Sequence, residues 1–223
     1  ARRQVWFIDA DGGEPYPAPA VEGNVQSAAW SPDGSAIAIV ATNDVHKRDV
    51  ARRGWRRIVK MRYRADGAGF LDDLPQLWLV DLVAGAARAI TDGAAWIGSP
   101  AWSRDGATVA YVGEHRPEAD TLWRTELWTV AAKGSAAPRK ILTLGGAVEA
   151  PAWHPDGSRI YFVGFVDPRG YAVAPLRLFV TPSDTGDARC ITAGSQWVCG
   201  NHVLNDLDAT GAASAPVVLD DGA

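Results

Sequence analysis

The sequence predicts an all-β protein of the β-propeller class, a partial ring of about four blades of four-stranded antiparallel sheet. Three observations carry that prediction. One phrase is written three times, as Trp30-Ser31-Pro32-Asp33-Gly34, Trp102-Ser103-Arg104-Asp105-Gly106 and Trp153-His154-Pro155-Asp156-Gly157, each time before an apolar run. A strand phrase recurs in step with it, as Val5-Trp6-Phe7-Ile8-Asp9, Leu77-Trp78-Leu79-Val80-Asp81, Leu127-Trp128-Thr129-Val130 and Leu178-Phe179-Val180. The spacings agree: Trp30 to Trp102 and Trp6 to Trp78 are both 72 residues, while Trp102 to Trp153 and Trp128 to Phe179 are both 51. A repeat of that length, with four strand signals per unit and no helical pattern, marks a propeller blade.

Each copy of the first phrase reads as a hairpin. The aromatic ends one strand, Pro presets φ for the first corner, Asp bonds its own turn backbone, and Gly34, Gly106 or Gly157 takes the φ > 0 position. The β-branched and aromatic run that follows, such as Ile37-Ala38-Ile39-Val40 or Ile160-Tyr161-Phe162-Val163, supplies the partner strand. The strand phrase leads through a polar turn into Ala89-Ile90-Thr91, Ile141-Leu142-Thr143 or Cys190-Ile191-Thr192.

Taken in order, residues 4–9 are a strand, 14–27 a proline-rich loop leading to the strand that ends at Trp30, and 37–41 its partner. The units run over about 1–93, with a basic insertion at 44–70, then 94–146, 147–194 and an incomplete 195–223, in which 196–198, 203–207 and 217–219 look strand-like. The 51-residue stride divides 223 residues into a little over four units. A propeller hides its first and last blades by closing, so the chain reads as a piece of a larger ring, with apolar blade faces open at both ends.

The insertion breaks the pattern. Nine of the 22 basic residues and one of the 26 acidic residues fall within 47–64, which leaves 13 basic against 25 acidic elsewhere. Two readings stand: a clamp for an acidic partner, a neighbouring subunit or a peptide carboxylate, or a solvated hairpin whose Ile58, Met61 and Tyr63 touch the blade. The hairpin is the simpler expectation. Gly67-Ala68-Gly69 lies in no strand-to-helix setting and is a turn, not a phosphate loop.

Composition excludes several functions. The net charge of −4 argues against a nucleic-acid or membrane partner, and no apolar run reaches the ~18 residues of a membrane span. Ala1-Arg2-Arg3 leads into a strand without a secretory apolar stretch. Cys190 and Cys199 have the spacing of neither a zinc knuckle nor a redox pair and are expected as free thiols, with Cys190 buried in a strand. His46, His115, His154 and His202 are scattered, so no metal or other cofactor is expected; His154 is read as a surface turn residue. Asp33, Asp105 and Asp156 stabilise their turns rather than form an acidic array, and the repeat tryptophans are core between sheets. There is no Gly-x-Ser-x-Gly elbow, and no catalytic residue is assigned.

Trp-Ser-Pro-Asp-Gly, the apolar strand, Leu-Trp-x-Val-Asp, Gly and Ile-Thr-Asp-Gly, in that order over nearly the whole chain, resemble the propeller repeats of two groups. These are the prolyl oligopeptidase family of serine peptidases and the periplasmic Tol-system propeller. The long repeat, with room for Thr121-Leu122-Trp123, favours the peptidases. Arg62-Tyr63-Arg64-Ala65-Asp66-Gly67-Ala68-Gly69-Phe70 before Gln76-Leu77-Trp78 looks like the acylaminoacyl-peptidase and dipeptidyl-peptidase branch. That resemblance implies a seven-bladed, non-catalytic domain capping an α/β-hydrolase domain, absent from this chain, whose Ser-Asp-His site it opens to short or N-acylated peptides. Arg62 and Arg64 are the candidates for contact with a peptide carboxylate or with the hydrolase domain. The implied partners are that domain and short peptides, with self-association left open. The compartment is expected to be cytoplasmic, or periplasmic or secreted for the alternative, a free-standing protein-binding propeller of Tol type.

Overall fold

The protein is described by a computed structural model at residues 3–42, 45–58, 61, 63–65, 69–71, 73–91, 96–115, 124–133, 136–169, 174–200 and 214–219. It divides into two compact units, Ala1–Gly98 with His115–Thr121 and Ser99–Glu114 with Leu122–Ala223.

The first unit opens with a two-stranded hairpin, β1 (Trp6–Phe7) and β2 (Tyr16–Pro17), in the register Phe7↔Tyr16. The strand expected over 4–9 is thus only two residues long, and the proline-rich stretch after it supplies the partner. A meander follows: β3 (Asn24–Trp30), β4 (Ala36–Thr42), β7 (Pro75–Asp81) and β8 (Ala86–Ala89) pair in that order. Ile37, Ile39 and Ala41 of β4 pack with Val80 of β7 and with Val21 and Val25, and Val5, Phe7 and Trp78 close the cluster.

The insertion lies between β4 and β7. It holds a helix, α1 (Val45–Arg53), and a short ladder of β5 (Arg64–Ala65) with β6 (Gly69–Phe70). The expected hairpin is therefore reduced to two residue pairs, and a helix stands where no helical pattern was read. Its sequence explains it: residues 45–53 contain no Gly or Pro and several good helix formers. Asp49 accepts from Arg52 at 3.0 Å and meets Arg53 at 2.9 Å one turn on. Gly54, at φ +75°, ends the helix in the left-handed conformation that glycine adopts without a Cβ penalty. Ile58, Met61 and Tyr63 are 52%, 74% and 43% exposed.

In the second unit two further meanders complete the pattern. β9 (Trp96–Trp102), which spans the unit boundary, pairs with β10 (Thr108–Glu114), then β11 (Glu126–Ala131) and β12 (Arg139–Thr143). The other is β13 (Val148–Trp153), β14 (Arg159–Gly164), β15 (Arg177–Pro182) and β16 (Arg189–Cys190). Second strands β4 and β10 are buried almost throughout, which is why each reads as a continuous apolar run instead of an alternating one. Ala110, Val112, Leu127, Ile141 and Leu142 of one sheet meet Val148, Ile160, Phe162 and Phe179 of the next. Phe162 and Phe179 form a cross-strand pair, stacked at 5.4 Å with 7° between ring planes.

Trp30, Trp102 and Trp153 occupy one structural position, the last residue of the first strand in each sheet. Trp30 is 56% exposed rather than core, and the other two are half-buried, with Trp153 packed against the core shared by the two sheets of the second unit. Each ends an outer strand of its sheet; the indole of Trp30 lies 5.3 Å from the ring of Phe7. Three residues before Trp102 and Trp153, Ser99 and Ala150 both hold φ +48°, and β13 bulges between Glu149 and Ala152. That conformation is uncommon for residues with a Cβ and marks a strained point repeated in two sheets. Residues 196–198 and 217–219 form no strand, while 203–207 lie outside the described residues. Both cysteines are free, and Cys190, on β16, is half-buried rather than buried because that strand is the sheet's outer edge.

Candidate functional site

Three places gather polar side chains: the repeated turns, a cleft between the two sheets of the second unit, and the basic insertion.

The turns share one design. Ser31 follows the tryptophan and is buried; its hydroxyl donates to Asp33 Oδ1 at 2.7 Å and accepts from the Ala36 N–H at 2.9 Å. Ser103 repeats this with Asp105 at 2.6 Å and Thr108 at 3.0 Å. Gly34, Gly106 and Gly157 sit at φ +71°, +67° and +74°, each donating back to the carbonyl of residue 31, 103 or 154. In the third copy His154 takes the serine's place. It is 7% exposed, not on the surface, because the position points beneath the turn in every copy. Its Nδ1 lies 2.7 Å from Asp156 Oδ1 and its Nε2 lies 3.0 Å from an Arg159 nitrogen. The Asp156 N–H also lies 3.3 Å from Nδ1, so the ring is held at both nitrogens within its own hairpin.

These bonds set the charge of the turns. The Ser35 N–H, then the hydroxyls of Ser31 and Ser35, lower the Asp33 carboxyl to about 2. The Ser158 hydroxyl and N–H, then His154, lower Asp156 to about 2. The Ser103 hydroxyl and the Ala107 N–H lower Asp105 in the same direction. Each carboxylate is stabilised by donors within its own hairpin, which is a turn's chemistry and not that of a general base.

The cleft, about 350 Å³, lies between the β9–β10 turn and the β13–β14 turn. Ser103, Asp105, Thr129, Arg139, Trp153 and Asp184 are among its lining residues. Trp153 Nε1 donates to the Ala101 carbonyl at 3.1 Å, and Arg139 donates to the carbonyls of Ser183 and Asp184 at 2.7 and 3.0 Å. The guanidinium and the indole N–H thus tie the two sheets together. The described residues contain no group of three His, Cys, Asp or Glu that could hold a metal ion.

A third shared feature was present in the sequence without a role attached. Thr91 accepts from the Leu77 N–H at 2.9 Å and donates to Gln76; Thr192 accepts from Leu178 at 3.0 Å; Thr143 donates to the buried Glu126 at 2.8 Å. The recurring Thr after an apolar pair ties the end of each fourth strand to the start of the third.

In the insertion, the guanidinium of Arg53 lies 4.5 Å from the Trp55 ring centre, Arg56 lies 3.6 Å from that of Phe70 and Arg64 lies 5.8 Å from it. Tyr63 is 6.3 Å from Phe70. Trp55, Ile58, Tyr63 and Phe70 are all more than 40% exposed. Arg62 lies outside the described residues, so only Arg64 of the two named arginines can be placed.

No family model and no curated protein matches the sequence. Solved structures do match in shape. TolB from Acinetobacter baumannii is 18% identical with a TM-score of 0.56 over 88% of this chain and 39% of its own. The acylaminoacyl peptidase of Pyrococcus horikoshii is 14% identical at 0.60, over 85% of this chain and 28% of its own. A puromycin-hydrolyzing peptidase of Mycobacterium tuberculosis is 19% identical at 0.54, over 84% and 27%. The fold is a partial β-propeller. At these identities the likeness shows the fold alone, and this chain spans well under half the length of each of the three. Peptidase propellers and TolB propellers stand side by side among the neighbours. Among the described residues no helix is long and apolar enough to cross a membrane.

Proposed function

We propose that this chain is the propeller portion of a serine peptidase of the prolyl oligopeptidase family, in the acylaminoacyl-peptidase and dipeptidyl-peptidase branch. Its role is to gate short or N-acylated peptides toward an α/β-hydrolase domain and to dock that domain. The observation that carries this reading is the insertion between β4 and β7. Its sequence, Arg62-Tyr63-Arg64 through Phe70, looks like that branch, and residues 47–64 hold nine basic residues against one acidic on an otherwise acidic chain. On this reading Arg64, with Arg62, meets a peptide carboxylate or the hydrolase domain, catalysis belongs to the other domain, and the compartment is the cytoplasm.

The likeness to the Acinetobacter TolB supports a second reading, a free-standing protein-binding propeller of the periplasm. Affinity capture of the native polypeptide from its own cells, followed by reaction with a fluorophosphonate probe, parts the two. The peptidase reading expects one polypeptide that carries this sequence, is labelled on a serine and hydrolyses an acylated amino-acid chromogenic substrate. A captured polypeptide that neither labels nor hydrolyses overturns it, as does hydrolysis by the purified 223-residue chain itself.

A further inference from the structure

We infer that the cleft between the two sheets of the second unit binds a free α-amino acid with an apolar side chain, held as its zwitterion. A departure from the repeat marks the place. In each four-stranded sheet an arginine of the fourth strand pairs with one residue of the third, as Leu79↔Arg88, Thr129↔Arg139 and Val180↔Arg189. All three third-strand residues are buried, and only this sheet puts a hydroxyl there. Thr129 shares its sheet face with Leu127, which packs into the core between the sheets, so its side chain faces the cleft. Its hydroxyl has no hydrogen-bond partner among the described residues. A buried hydroxyl left without a partner is costly, and a ligand oxygen in the cleft supplies one.

The charged groups choose the ligand. Arg139 commits one N–H of each terminal nitrogen to the carbonyls of Asp184 and Ser183, at 3.0 and 2.7 Å, so further N–H groups of the fork stay open. Beside the Thr129 hydroxyl they form a donor set for a carboxylate. Asp105 lines the same cleft; the Ser103 hydroxyl and the Ala107 N–H both bond its Oδ1, which leaves Oδ2 to accept from an ammonium group. Asp184 adds a second carboxylate. Two carboxylates beside one guanidinium disfavour a plain anion, and the guanidinium disfavours a plain cation. A molecule that carries both charges satisfies both sides. The Trp153 indole has its N–H committed to the Ala101 carbonyl and offers the cleft its apolar ring for a side chain. A volume of about 350 Å³ is at the small end of ligand sites and suits a single amino acid. The inference does not depend on the peptidase reading, because binding is a property of this chain alone; either can fail while the other stands.

The test is isothermal titration calorimetry of L-leucine and L-phenylalanine against the 223-residue chain. Saturable binding of at least one of them is expected. It should weaken about tenfold or more for the N-acetyl derivative, which lacks the ammonium, and for the amide, which lacks the carboxylate, since charge-assisted bonds are the strong ones. Thr129→Val keeps the shape and removes the hydroxyl. It is expected to weaken binding about tenfold while the melting temperature of the unliganded chain holds or rises, a pairing that a merely structural role would not give. Asp105→Asn is expected to weaken binding by a similar factor with unchanged circular dichroism. The inference is overturned by the absence of saturable heat from both amino acids at about 10 mM, or by equal binding of either capped derivative. Unchanged affinity in either variant, or tighter binding of inorganic phosphate or of isopentylamine, also overturns it.

Discussion

The second unit and the insertion use similar residues to opposite ends. In the second unit Phe162 and Phe179 are stacked inside a core shared by two sheets, and Arg139 closes onto backbone carbonyls. In the insertion Phe70 is 43% exposed and Arg56 and Arg64 lie over it. The difference comes from what stands on the far side. A repeat that meets another copy of itself buries its aromatics; a segment outside the repeat has no such partner, and its rings are covered by its own cations. The comparison breaks most sharply at the two phenylalanines. Phe162→Ala is expected to cost about 3–5 kcal/mol, transfer plus cavity, while Phe70→Ala stays within about 1 kcal/mol, the worth of exposed cation–π contacts. Urea unfolding of both variants checks this, and comparable losses would erase the distinction.

Glycines extend the contrast. Gly186 holds φ +79°, and a Cβ there would collide with the Ile141 carbonyl of the adjacent sheet; Gly54 holds φ +75° with open space around it. Gly186→Ala combines backbone strain with overpacking, about 2–4 kcal/mol. Gly54→Ala carries only the strain of a left-handed residue, about 1–2 kcal/mol, and that within a peripheral helix. Thermal unfolding should rank them so. Below these comes Ser103→Ala: it removes the acceptor of the Thr108 N–H and a donor to Asp105, an expected loss of about 1–2 kcal/mol by the same assay.

What the sequence reveals follows the same division. The hairpins were legible because Trp, Asp and Gly recur at fixed spacing and every copy needs the same φ > 0 corner. The burial of Ser31, Ser103 and His154 was not, because a residue beside a solvated turn carries no periodic apolar signal of its own. Nor did Ser99 and Ala150 announce their left-handed backbone, since neither is a glycine. The exposure of Trp30 follows from its place on an outer strand, which depends on strand order instead of composition. In the insertion, helix α1 went unread because its polar residues show no apolar stripe, and Arg56 and Arg64 came together only when the chain placed Phe70 beside them.

The smallest expected effect concerns pH and returns to the turns. Asp33 and Asp156 are held at about 2 in the folded chain against an ordinary 3.8. Between those values the unfolded chain binds more protons than the folded one, so stability rises with pH across that window. The contribution is fully present above about pH 4 and is lost as pH falls toward about 2. Both carboxylates are exposed, so the slope is modest. Melting temperatures measured from about pH 5 down to about pH 2.5 should fall less steeply for an Asp33→Asn, Asp156→Asn double variant than for the parent. An Arg57→Gln control in the insertion should keep the parent's slope, because the turn carboxylates draw their stabilisation from Ser35, Ser31 and Ser158 and not from the arm. Parallel curves for parent and double variant would mean that these serines hold the two carboxyls no better than water does, and the turns would then owe their shape to Gly34 and Gly157 alone.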